Sequence, residues 1–102
     1  MKYANHHGWS DVTPYEVIRV ISDKTIEIRE MKAERNPAYT PEFVPGGFSA
    51  VCTNQRDQKW IIESDDTAPV IRARLRKDGR FWSAHGSHRL NDQPIKFYDY
   101  NF

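Results

Sequence analysis

Two neighbouring runs of the chain alternate with period two, and they constrain its fold more than any other feature. Tyr15-Glu16-Val17-Ile18-Arg19-Val20-Ile21 is rich in β-branched and aromatic residues, which suit a pleated surface. Thr25-Ile26-Glu27-Ile28-Arg29-Glu30-Met31 alternates more cleanly, with Ile26 and Ile28 on one face and Glu27 and Arg29 on the other. Ser22-Asp23-Lys24 between them is turn-forming, because Ser and Asp side chains bond back to the local backbone. The pair predicts a β-hairpin. Nowhere does an apolar spacing of 3.6 persist over a dozen residues, and prolines interrupt the candidate windows.

The remaining chain predicts more short strands. Residues 48–52 and 59–62 read as strands, and residues 70–75 alternate before Lys77-Asp78-Gly79, where Asp-Gly is a strong hairpin signal. Residues 80–84 return from that turn. A short Arg89-Leu90 piece lies between turns, and residues 95–102 alternate and are aromatic, which predicts a terminal strand. Residues 33–47, AERNPAYTPEFVPGG, contain Pro37, Pro41, Pro45 and a Gly-Gly pair. They are expected to form one long Pro-rich loop, and a loop of that length in a small domain is often functional. The chain is therefore expected to be all-β, a single domain over residues 1–102. Its natural closure is a small SH3-like or OB-like barrel, with a strongly curled antiparallel sheet as the alternative.

Bulk composition limits the function classes. Fifteen basic and fourteen acidic residues give a net charge of +1, so any attraction to a polyanion must come from local clustering. Cys52 is the only cysteine, which excludes an internal disulfide. With no apolar run of 18 residues and no charged-then-apolar leader, the expected location is the cytoplasm, without membrane contact. Thirteen aromatics supply enough buried area for a core.

The densest local charge is VIRARLRKDGR, residues 70–80. Arg72, Arg74 and Arg76 share one face of a strand, and Ile71, Ala73 and Leu75 share the other. Same-face residues repeat at about 6.6–7 Å, close to the phosphate repeat of one nucleic-acid strand. Lys77 and Arg80 extend the patch, while Trp82 and Tyr98 are candidate stacking or anchoring aromatics. The competing reading is an ordinary solvated strand face whose arginines pair with Glu16, Glu27 or Glu63, and whose aromatics belong to the core. Asn54 or Asp57 is expected to hold a turn in the amide-rich stretch 53–58. His6, His7, His85 and His88 invite a metal-dependent enzyme reading, with Asp11 as a further oxygen donor. No complete ligand spacing supports it, so no metal site or cofactor is assigned. Cys52 beside Val51 reads as a small buried residue rather than a nucleophile. With no phosphate loop or nucleophile elbow, the expectation is a non-enzymatic protein.

At Tyr15-Glu-Val-Ile-Arg-Val, Thr25-Ile-Glu-Ile-Arg-Glu, Cys52-Thr-Asn-Gln, Gln58-Lys-Trp60 and Lys96-Phe-Tyr-Asp-Tyr-Asn-Phe102, the chain resembles a group of small uncharacterised proteins of bacteriophages and other mobile elements. Gly8-Trp9-Ser10-Asp11 is an imperfect match to an element near their start. The resemblance implies a short accessory gene acting in a bacterial host cytoplasm, and carries over no functional residue. Two functions are then expected in order. The first is binding of nucleic acid, or of a host nucleoprotein complex, through Arg72, Arg74, Arg76, Lys77, Arg80, Trp82 and Tyr98. The second is inhibition of a host defence protein, of anti-CRISPR or anti-restriction type. There the Pro-rich loop with Tyr39 and Phe43 and the terminal Tyr100 and Phe102 would form the interface.

Overall fold

A computed structural model describes residues 2–8, 11–46, 49–52 and 54–98 of the chain. Among them the protein is all-β, with a single turn of 3-10 helix at Gln55–Asp57. Eleven strands follow one another: β1 (Tyr3–His7), β2 (Val12–Thr13), β3 (Tyr15–Ser22), β4 (Thr25–Glu30), β5 (Lys32–Arg35), β6 (Phe43–Gly46), β7 (Ser49–Cys52), β8 (Trp60–Glu63), β9 (Val70–Leu75), β10 (Phe81–Ser83) and β11 (Gly86–Asn91). The order β11-β10-β9-β4-β3-β1 closes on itself because β1 also pairs with β11, from Tyr3↔Asn91 to His6↔His88. The result is a closed, six-stranded antiparallel barrel of the small SH3-like or OB-like kind, with β2 as an extra strand beside β1.

The β3–β4 hairpin forms as its alternation dictates. Ile26 and Ile28 point inward and are almost fully buried, and with Ala4, Tyr15, Ala73 and Phe81 they make the core. Val17, Ile71 and Leu90 pack around that set. Small Ala4 and Ala73 leave space for a buried histidine. His88 Nδ1 lies 3.0 Å from the Ala4 carbonyl, which can only accept, so Nδ1 carries the proton. Its Nε2 then accepts from Ser83 Oγ at 2.7 Å, and the Tyr15 ring meets the imidazole edge-on at 4.8 Å. Burial is the first cause holding His88 at a pKa of about 4, below the usual histidine value.

The Pro-rich segment is less of a loop than its composition suggests. Its start continues β4 as β5, which pairs with β8 from Lys32↔Glu63 to Arg35↔Trp60. Its end is β6, paired with β7. Pro45 is tolerated because that ladder has only two strands, where a missing N–H need not break a central pairing. Among its described residues, the irregular part is the middle, residues 36–42. Asn54 holds it, donating to the Thr40 carbonyl at 2.8 Å and accepting from the Glu42 N–H at 2.8 Å. The described residues of 32–63 thus form an arm on the barrel, built of two two-stranded ladders. The Cα radius of gyration is 15.6 Å, against about 13 Å for a compact chain of this length.

The expected terminal strand is not formed in its described part. Phe97 makes a single bridge to Val12, and the Tyr98 main chain is held by the Gln58 side chain. The short Arg89-Leu90 piece is instead the middle of the six-residue β11. Among the described residues, no helix is long and apolar enough to cross a membrane.

Candidate functional site

β9 carries its arginines outward because Ala73 and Ile71 are drawn into the core on the opposite face. The antiparallel register then decides each one's neighbours. Arg72 stands opposite Glu27 and Arg74 opposite Thr25 on β4. On the other side, Arg74 stands opposite Trp82 of β10. Glu27 is shared: its Oε1 takes Arg19 Nε at 3.0 Å and its Oε2 meets Arg72 Nε at 3.6 Å. Arg72 therefore follows the ordinary solvated-face reading, and the rest of the strand does not.

The β9–β10 turn sets the next two cations. Gly79 adopts a positive φ of 80°, its N–H donates to the Arg76 carbonyl at 3.0 Å, and the Arg76 N–H donates to the Arg80 carbonyl at 3.0 Å. Asp78 closes the turn, accepting from the Arg80 N–H and from Trp82 Nε1–H, both at 2.9 Å. The Arg80 amide, the Trp82 indole and the Arg80 and Arg76 charges hold the Asp78 carboxyl below the usual carboxylate range. The Arg76 guanidinium lies over the Trp82 ring, 4.7 Å from its centroid. One ring face of Trp82 is thereby covered, which limits its use as a stacking platform. Leu75, Arg76, Lys77, Asp78 and Trp82 line an open groove of about 470 Å³.

The patch extends further than the sequence indicated. The Phe81↔His88 pairing sets Arg80 next to Arg89 across the β10–β11 ladder, and Arg89 in turn faces Asn5 of β1. Burial and then the charges of Arg89, His6 and Arg80 hold His7 below the ordinary histidine pKa, so both arginines act on that imidazole. Among the described residues, Arg74, Arg76, Lys77, Arg80 and Arg89 have no carboxylate within ion-pairing distance. Five cations thus lie along β9, the β9–β10 turn and β11, with Asp78 as the acid of the turn. Arg89 was legible only as part of the short Arg89-Leu90 piece between turns, and nothing local tied it to residue 80.

No family model, curated protein or solved structure matches the chain.

The other predicted positions are scattered. Tyr98 is not part of the arginine face: its N–H donates to Gln58 Oε1 at 3.0 Å and its carbonyl accepts from Gln58 Nε2, at the base of the arm. Gln58 Oε1 also accepts from Trp60 Nε1–H, and Lys96 lies over the Trp60 ring at 5.6 Å. Tyr39 is buried in the arm, as is Cys52, so it is no surface anchor. Phe43 is exposed on β6. Tyr100 and Phe102 lie outside the described residues, as does Trp9. The histidines do not converge on a metal. His88 uses both ring nitrogens within the fold, and His6 Nδ1 donates to the Ser87 carbonyl at 2.8 Å. Among the described residues, no group of three or more His, Cys, Asp or Glu side chains could hold a metal ion.

Proposed function

We propose that the protein is a non-enzymatic binding module, an accessory protein of a phage or mobile element, that grips the phosphate backbone of a nucleic acid across β9, β10 and β11. The observation that carries this reading is the run Arg74, Arg76, Lys77, Arg80 and Arg89, adjacent in space and without carboxylate partners among the described residues. Like charges this close repel one another, and a row of phosphates relieves that repulsion by pairing with each. Arginine suits the role because its planar fork can meet two phosphate oxygens at once. The grip is sequence-tolerant, since Asp78 and Arg76 already occupy the Trp82 polar edge and one of its faces.

The test is fluorescence anisotropy with mixed-sequence single-stranded and duplex oligonucleotides. In the triple variant Arg74→Ala, Arg76→Ala, Arg80→Ala, affinity should fall on the order of ten- to a hundred-fold for every sequence tried. Affinity within two-fold of the parent protein would reject the face as the binding site.

A further inference from the structure

The barrel's shortest seam is the one between β3 and β1. Its pairing consists of Tyr3↔Glu16, and the Val17 N–H donates to the Lys2 carbonyl at 2.8 Å. Among the described residues, no strand lies beside Arg19–Ser22 on the side away from β4. Register shifts between Val17 and Arg19 and between Val20 and Ser22 leave Ile18 and Ile21 as extra, bulged residues. The edge is apolar: Ile18 is 41%, Val20 66% and Ile21 40% exposed. An open groove of about 380 Å³ runs beside it, lined by Lys2, Tyr3 and residues 16–20. On the inner side, Val20 joins Val17, Ile26, Phe81 and Leu90 around a cavity of about 240 Å³ at the barrel mouth.

An edge of this kind is ordinarily blocked by charge, as in β5, whose sequence is Lys-Ala-Glu-Arg. In β3 the only charge of the open run, Arg19, is tied back to Glu27. Unpaired main chain flanked by aliphatic side chains is completed best by another extended strand. We propose that this strand is β3 of a second copy of the chain, paired antiparallel about a two-fold axis near Val20. The two-fold sets the turn end of one β3 against the Lys2 end of the other. Asp23 of each copy then approaches Lys2 of its partner, whereas Glu16 stays engaged by Arg29 and Ser64 of its own chain. Opposite signs meet at both ends of an apolar centre, which is what a self-complementary interface requires. The two bulges keep the regular ladder short, so these flanking charges fix its register.

Sedimentation velocity across a concentration series tests the proposal. The parent protein should form a dimer, and Val20→Lys should weaken association at least about ten-fold, because like charges then face each other across the strands. Val20 is exposed, so the variant should keep the fold, checked by circular dichroism. Lys2→Glu and Asp23→Lys should each weaken the dimer, and the double variant should restore it. A parent protein that stays monomeric, including one that pairs this edge with a different protein, overturns the proposal. So does a dimer that ignores Val20→Lys, or a double variant no better than either single one.

Discussion

Arg72 and Arg74 stand two residues apart on the same face of one strand, yet only Arg72 has a carboxylate, Glu27, across the ladder. An exposed pair of this type contributes about 0–1 kcal/mol to stability, so it costs Arg72 little to hold and only partly removes its charge from circulation. Arg72→Ala should therefore weaken oligonucleotide binding by less than about three-fold, and Arg74→Ala by more, since no carboxylate among the described residues pairs with Arg74. Side-by-side anisotropy titrations of the two single variants check the order. His88 gives a second residue-level expectation. Its folded pKa, about 4, lies below the unfolded value of 6.5, so the unfolded chain takes up a proton first as the pH falls. Stability is complete above pH 6.5, declines by about 3 kcal/mol between pH 6.5 and 4, and levels off below that. Urea melts at a series of pH values should show that decline, and His88→Gln should flatten it even though the variant is less stable throughout.

At the scale of elements, the β3–β4 and β9–β10 hairpins were readable and the long-range pairings were not. β3–β4 and β9–β10 carry their own instructions: alternation on both arms, and Ser-Asp or Asp-Gly between them. β1 carries none, since Tyr-Ala-Asn-His-His does not alternate; it is a strand because β11, at the other end of the chain, needs a neighbour. Residues 95–98 show the reverse error. They alternate as a strand would, but Gln58 claims the main chain of Tyr98 and no ladder forms there. The arginine face was half legible for the same reason: its β9 members share a strand, whereas Arg89 reaches them only through two ladders. The β10–β11 hairpin depends on Gly86, whose φ is 124° and where an added Cβ would sit 2.8 Å from the His6 ring. Gly86→Ala should cost about 2–3 kcal/mol through backbone strain and displacement of that ring, measured by thermal or urea unfolding. Gly79→Ala, with positive φ but open space around it, should cost less.

Across the whole molecule, net charge is close to zero and the cations matter only where they cluster. The arm, residues 32–63, holds four acidic and four basic residues, so the net charge of +1 belongs to the rest of the chain. The principal extents are 50 × 28 × 21 Å, and the β9–β10 turn lies at the end of β9 opposite its connection to the arm. A polyanion would be steered toward that cationic end, an effect that weakens steeply with salt. The salt dependence of binding therefore reports directly on the central claim that unpaired guanidinium groups await phosphates. The decisive measurement is the slope of log affinity against log salt for the parent protein and for the Arg74, Arg76, Arg80 triple alanine variant. A parent slope of about −3 to −4 that shrinks by about 2–3 in the variant is the predicted result. Equal slopes for the two proteins would contradict it.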